Sequence, residues 1–310
     1  MNRSRLCYLP VMVLLSLVWA CGGAPRQVTQ APVMARDGAR QIQKGNLQYT
    51  KGCYQRAAAH FSRAHAEFTA ADDLPGIAVS LNSLGNVYQA TGDVDNAVAF
   101  FDEALAISRA RDDRQAALQA MANKAAAFIG ADRLDDAQAV LTTAAALEPG
   151  AFLPLQINQG ILFFKQAAYP QAQAALESAL TDVAKEDQSS RAKIQFALGR
   201  VKQAQGDAAG AGDHFQLALT ADRAAGFYAG MAQDHIQLGA IRQEQGSAAK
   251  AVAHYKQAVK IYALLGDAPK VNAAILKLEQ AAETAEADIR LTIHFAKTWL
   301  EDKGLQRPCR

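Results

Sequence analysis

Apolar and polar positions alternate along this chain at two scales. The long one is a ladder of small residues: Ala57, Ala97, Ala137, Ala172, Ala211 and Ala251 step by 40, 40, 35, 39 and 40 residues. Four residues after each stands a bulky apolar residue (Phe61, Phe101, Leu141, Leu176, Phe215, Tyr255). Seven after each stands a second alanine (Ala64, Ala104, Ala144, Ala179, Ala218, Ala258). Offsets of four and seven put all three side chains on one face of an α-helix. Twelve residues before each ladder alanine comes Gly45, Gly85, Ala125, Gly160, Gly199 or Gly239, and five before it a turn glycine at Gly52, Gly92, Gly206 and Gly246. Each unit therefore reads as two amphipathic helices joined by a tight turn, in the second unit Ala78–Ala90 and then Val94 to Arg109.

Glycine inside a helix costs about 1 kcal/mol relative to alanine, so a recurrent one needs a packing reason. Two helices crossing closely, glycine on one and alanine on the other, supply it, with the bulky residue filling the space between hairpins. The pattern predicts an all-α solenoid of about six helical hairpins, because units repeating every 20–50 residues bury their apolar faces against neighbours rather than in a central core. An alanine-rich bundle is the alternative, but it would have to fill twelve alanine slots by accident.

Several of these residues resemble the tetratricopeptide repeat family. Leu84-Gly85, Tyr88, Gly92, Ala97, Phe101 and Ala104-Leu105 are the cleanest match. Leu198-Gly199, Gly206, Ala211, Phe215, Ala218-Leu219 and Leu238-Gly239, Gly246, Ala251, Tyr255, Ala258 follow it. Pro149 falls where the family often ends its second helix. The family's early tryptophan is absent, Asp132 and Ala167 replace the turn glycine in the third and fourth units, and the period near 40 implies longer helices than the family's usual 34 residues. The resemblance implies a binding scaffold whose first helices line a concave face, and it names no partner.

The expected organisation is residues 1–20 as a signal peptide, 21–37 as a flexible tether rich in Gly, Pro and Gln, and 38–266 as the array. Its repeats run near 38–76, 77–116, 117–151, 152–188, 189–229 and 230–266, followed by capping helices over 267–303 and a tail, 304–310. In the cap, Ala274, Ile275, Leu278, Ala281 and Ala282 form an apolar side, and Glu279, Glu283 and Lys297 suit a polar exterior; Phe295 and Trp299 offer a partner-docking alternative.

The first residues carry an address. Arg3 and Arg5 precede an apolar run, Leu6–Trp19, that is too short to span a bilayer, which needs about 20 apolar residues. Val18-Trp19-Ala20-Cys21-Gly22 resembles the lipobox of bacterial lipoproteins, which implies lipidation at Cys21 and, with Gly22 after it, an outer-membrane lipoprotein facing the periplasm. Ordinary cleavage after Ala20 is the alternative. The formal charge of +2 includes Arg3 and Arg5, so the processed chain is neutral, and no basic stripe points to nucleic acid. Cys7 leaves with the signal. Cys53 in the first turn and Cys309 near the end lie at opposite ends of an extended array, and no disulfide is expected between them.

Candidate chemistry is sparse. Ser190-Arg-Ala-Lys193 and Ser247-Ala-Ala-Lys250 fit Ser-x-x-Lys, but the companion motifs of serine acyl enzymes are missing, and both serines are expected as helix caps. The six histidines are scattered, without metal-ligand spacing, and no cofactor or metal is expected. Asp72-Asp73, Asp112-Asp113 and Asp135-Asp136 are expected in turns or first helical turns.

The inward positions of the first helices hold Gln43, Asn46, Asn82, Asn86, Gln119, Asn123 and Asn158, then Lys193, Arg200, Gln233, Gln237 and Gln243. Asparagine is a poor helix-interior residue, yet a carboxamide offers donor and acceptor to an extended peptide backbone. Asn46, Asn82, Asn86, Gln119, Asn123 and Asn158 are therefore the expected peptide- or protein-binding residues, and solvated helix positions are the alternative. The resulting expectation is a non-enzymatic, lipid-anchored interaction scaffold of the bacterial envelope, with envelope proteins or an extended peptide as partners. A peptide-sensing regulatory module is the alternative, and a periplasmic enzyme is the weakest reading.

Overall fold

The computed structural model describes residues 33–147, 152–301 and 309. The signal segment, Cys21 and most of the expected tether lie outside them, as does Pro149. Among the described residues the chain is all-α, fourteen helices in seven consecutive pairs, the first six packed as hairpins. They are α1 (Val33–Thr50) with α2 (Tyr54–Ala70), α3 (Leu74–Thr91) with α4 (Val94–Ala110), α5 (Arg114–Gly130) with α6 (Leu134–Leu147), and α7 (Leu153–Lys165) with α8 (Tyr169–Asp182). Then come α9 (Gln188–Ala204) with α10 (Ala208–Ala225), α11 (Tyr228–Glu244) with α12 (Ala248–Leu265), and α13 (Ala268–Thr284) with α14 (Arg290–Glu301).

The predicted ladder is the core. All twelve ladder alanines are fully buried, and Phe61, Phe101, Leu176, Phe215 and Tyr255 are nearly so. The glycine slot faces the bulky residue more than the alanine. A Cβ on Gly85 would lie 2.5 Å from Phe101 Cε1, one on Gly199 2.7 Å from Phe215, and one on Gly239 2.5 Å from Tyr255. In the first, second, fifth and sixth hairpins the ring thus packs against the bare backbone of its own first helix, sixteen residues earlier, and in the fourth Leu176 takes its place over Gly160. Where the slot holds Ala125, the opposing residue is Leu141, a smaller side chain.

Turns and caps follow one scheme. Every first-to-second-helix turn has a left-handed residue: Gly52, Gly92, Asp132, Ala167, Gly206, Gly246 and Glu286. Asp132 and Ala167 hold φ of 57° and 59° although they carry a Cβ, so the backbone geometry outlasts the glycine. Aspartate caps six of the fourteen helix starts: Asp73, Asp93, Asp113, Asp187, Asp207 and Asp267 each accept from the backbone N–H three residues on, satisfying a donor the helix leaves free. This accounts for two acidic pairs, since Asp72 and Asp112 take the left-handed position and their neighbours cap. Asp135 and Asp136 sit in the first turn of α6.

Four expectations need correction. Helix α1 begins at Val33, so the last residues of the expected 21–37 tether are helical, and Gly38 packs under the Phe68 ring. The capping helices over 267–303 are α13 and α14, which keep the array's backbone period, with Glu286 repeating Gly246 and Glu279 in the glycine slot, but do not close as a hairpin: α14 packs mainly on α12 and hardly on α13. The serines do not cap: Asp187 does so for α9, and Ser247 precedes α12 without a side-chain cap bond.

The fourth correction is the disulfide. Cys53 and Cys309 are bonded, with Cα atoms 4.7 Å apart and 256 residues between them. The array is not extended end to end. It bends far enough that the α1–α2 turn meets the α12–α13 turn, where Gly52 packs against Leu265 and Ala229. In the chain-entropy model a crosslink this long removes roughly 5 kcal/mol of denatured-state entropy.

Candidate functional site

Curvature decides which face can hold a partner. The first helices pack on one another in series, α1 on α3, α3 on α5, α5 on α7 and α7 on α9, whereas second helices mainly contact the first helices beside them. The layer whose members touch is the shorter arc, so α1, α3, α5, α7 and α9 form the concave side.

On this layer the predicted amides divide into three groups. Asn46 is exposed and Asn86 half-buried, and neither side chain has a hydrogen-bond partner among the described residues. Gln119, Asn123 and Asn82 form a chain: Gln119 Nε2 donates to Asn123 Oδ1 at 2.9 Å, and Asn123 Nδ2 donates to Asn82 Oδ1 across the α5–α3 contact at 3.4 Å. That chain orients the amides while leaving the Asn82 Nδ2 donor uncommitted. Asn158 differs. It is buried and donates from Nδ2 to the Ala122 carbonyl at 2.7 Å, so it bolts α7 to α5 and leaves the binding set.

Three basic residues near the lining are committed, whereas Lys193 is exposed and makes no ion pair among the described residues. Arg200 lies over the Phe164 ring, 4.5 Å from its centroid, and burial lowers its pKa against the opposing pull of Asp132. Lys165 pairs with Asp132 at 2.5 Å, and Lys124 pairs with Asp102 at 2.6 Å. The groove therefore offers neutral hydrogen-bonding groups more than free charge.

Sequence reasoning missed a polar layer inside the hairpins. His60 meets Gln41 (2.8 Å), His214 meets Gln195 (2.6 Å) and His235 meets His254 (3.0 Å), each pair nineteen residues apart. The signal was present: His60, His214 and His254 each follow a ladder alanine by three, so half of the scattered histidines share one slot. Burial holds all four rings toward the neutral form, with His235 lowered to about 4 by burial and by His254 and Arg223 beside it. Asp222 and Asp234 form a second hidden element, a pair of neighbouring buried carboxyls placed to share a proton. Desolvation raises both pKa values, and the Asp222 charge raises Asp234 further. Gly230 lies directly beneath the Asp222 carboxyl. Among the described residues no group of three or more His, Cys, Asp or Glu side chains is placed to hold a metal ion, and no helix is long and apolar enough to cross a membrane.

Comparison with known proteins agrees with this architecture. No curated protein matches the chain. The structure is similar to the Rap conjugation gene regulator of plasmid pLS20 in complex with the Phr* peptide, with 16% identity over 93% of this chain and 83% of that one, at a TM-score of 0.57. It is also similar to a Rap protein complexed with Competence and Sporulation Factor, at 13% identity, 81% and 76% coverage and a TM-score of 0.56. A third is the signal-transduction ATPase PH0952 of Pyrococcus horikoshii, which carries a tetratricopeptide repeat sensor, at 13% identity, 82% and 49% coverage and a TM-score of 0.54. Identities this low speak to the fold alone. The tetratricopeptide repeat model matches residues 40–110, 76–147 and 190–263, more than half of the chain and ten of the twelve ladder alanines. The chain belongs to the tetratricopeptide repeat family.

Proposed function

We propose that this protein is a non-enzymatic scaffold that binds a partner protein or an extended peptide on its concave face. The observation that carries the reading is the amide set on the inner layer: Asn46 and Asn86 without internal partners, and Asn82 held in orientation by Asn123. Two proteins of similar fold, the Rap regulators, were solved with the Phr* peptide and with Competence and Sporulation Factor, which supports a peptide-sized ligand. The expected set becomes Asn46, Asn82, Asn86, Gln119 and Asn123. Each net hydrogen bond contributes about 0.5–1.5 kcal/mol. Asn46→Ala with Asn86→Ala should therefore weaken partner binding roughly 5- to 150-fold, at 1.4 kcal/mol per tenfold. Binding that survives the pair of substitutions, or that collapses between low and moderate salt as an ionic groove would, counts against the reading.

The same proposal places the protein in the bacterial envelope, anchored through lipid on Cys21 and facing the periplasm. The signal-like segment and the Val18-Trp19-Ala20-Cys21-Gly22 junction motivate it, and the Cys53–Cys309 bond supports an oxidising compartment. Cys21→Ser should move the protein from the membrane to the soluble fraction; an unmodified N-terminal Cys21 by intact mass would contradict the anchor.

A further inference from the structure

Charge is unevenly spread along the array. The first hairpin, residues 33–70, holds six Lys or Arg against two Asp or Glu, a formal +4, whereas residues 71–301 hold 20 against 27. The structure gathers these cations on one surface. Val33, Arg36, Arg40, Lys44 and Leu47 share the face of α1 turned away from its buried Ala35, Gly38 and Gly45. All five are exposed, Val33 to 61% and Leu47 to 54%. Arg56 and Arg63, one turn to either side of His60 on α2, are exposed as well. They neighbour Lys44, because all three charges act on one ring: the His60 pKa is lowered first by burial and then by Lys44, Arg63 and Arg56. Arg40 pairs with Asp37, but Arg36, Lys44, Arg56 and Arg63 make no ion pair among the described residues. Helix α1 packs mainly on α2 and α3, which leaves this face open to solvent.

We propose that this face of the first hairpin docks on an anionic phospholipid bilayer. Clustered Lys and Arg are drawn to anionic headgroups within a Debye length of the surface. The apolar side chains set among the cations favour lipid over an acidic protein. Val33, Met34 and Leu47 are all more than half exposed, and they suit the layer just below the headgroups, as do the aliphatic stems of Arg and Lys. The net negative charge of residues 71–301 is repelled by the same surface, so the array docks through its first hairpin and its later repeats stay in water. Helix α1 begins twelve residues after Cys21, a length that reaches at most about 40 Å, so a lipid on Cys21 would keep this hairpin near the bilayer. The docking stands on the described residues and does not depend on that anchor or on the concave binding site.

The test uses the full chain carrying Cys21→Ser, which can take no lipid, and co-sedimentation with vesicles of phosphatidylcholine alone or with about 30% phosphatidylglycerol. At low salt the protein should favour the anionic vesicles by about tenfold or more, and it should be released at about 0.5 M NaCl, where the Debye length is roughly 4 Å. Each cation at such a surface contributes about fivefold in partitioning, so Arg36→Gln, Lys44→Gln and Arg63→Gln together should weaken it by about 100-fold. Removing three exposed cations elsewhere, by Lys185→Gln, Lys250→Gln and Lys277→Gln, should change it little, which separates a patch from net charge. Leu47→Ser should weaken partitioning without altering its salt dependence. No preference for the anionic vesicles, or equal loss from the two triple variants, overturns the proposal. So does retention on polyglutamate without vesicle binding, which would assign the face to an acidic protein. Failure of the lipid anchor reads separately, as an unmodified Cys21 by intact mass.

Discussion

The ring-on-glycine contact makes a prediction whose sign runs against helix propensity. Gly85→Ala in the middle of α3 should stabilise by about 1 kcal/mol if backbone entropy decided the matter. In the structure the added Cβ would stand 2.5, 2.7 and 2.9 Å from three atoms of the Phe101 ring. An unstrained carbon–carbon contact needs about 3.5–4.0 Å, so the ring must move by about 1 Å. It has nowhere to go, because Phe101 is fully buried among Ala97, Ala127 and the partly buried Tyr88, Val94 and Val98. Overpacking of this kind costs about 1–3 kcal/mol, offsetting or exceeding the propensity gain. The third and fourth repeats show that a smaller partner relieves the clash only in part: Ala125 coexists with Leu141, but a Cβ on Gly160 would stand 2.6 Å from Leu176 Cγ. The substitution Gly85→Ala should therefore be less harmful in a Phe101→Leu background than beside Phe101, a coupling of about 1–3 kcal/mol in a double-mutant cycle. Repeat arrays lose structure locally, so the assay is hydrogen exchange of α3 and α4 amides alongside urea unfolding. Additive effects, with coupling below about 0.5 kcal/mol, would refute the claim that the ring dictates the glycine.

Ala167→Gly should stabilise the fourth hairpin by about 1 kcal/mol, because Ala167 holds φ of 59° with a Cβ attached; an unchanged urea midpoint would contradict this. Asn158→Ala should cost about 1–3 kcal/mol by leaving the Ala122 carbonyl buried without its donor, with faster exchange at the α5–α7 contact as the check. The Asp222–Asp234 pair keeps a proton in the folded state at pH values where the unfolded chain, with carboxylates near 3.8, has lost it. Its contribution is complete at low pH and is lost as pH rises through the raised folded values, against the countervailing charge of Lys193 on Asp222. Asp234→Asn should flatten that decline and be the more stable protein at alkaline pH; parallel stability–pH curves for the two proteins would exclude it.

Elements that repeat were legible, because a packing requirement met six times leaves six copies of the same residue. The twelve alanines, the glycine slot and the left-handed turn were readable as Ala57 through Ala258, Gly45 through Gly239, and Gly52 through Gly246. Singular features were hidden. Nothing local to Glu279 or Glu286 shows that α13 and α14 keep the array's backbone period, since their sequence abandoned the ladder. The closure by Cys53 and Cys309 depends on curvature summed over all the hairpins, a quantity no single repeat displays. In the binding face, amide spacing located the inner layer. Whether an amide faces outward or is bonded inside, as Asn86 and Asn158 differ, depends on how closely adjacent first helices approach, and α5 and α7 approach closely enough to bury Asn158.

The account turns on the concave layer being the partner-binding surface. Its most direct test is site-specific photo-crosslinking in the host cell, with a photoreactive amino acid placed at Asn86 on α3 or at the exposed Glu103 on α4. The prediction is a discrete crosslinked partner from position 86, reduced by Asn46→Ala, and none from position 103. Equal labelling at both positions, or labelling at 103 alone, would contradict it.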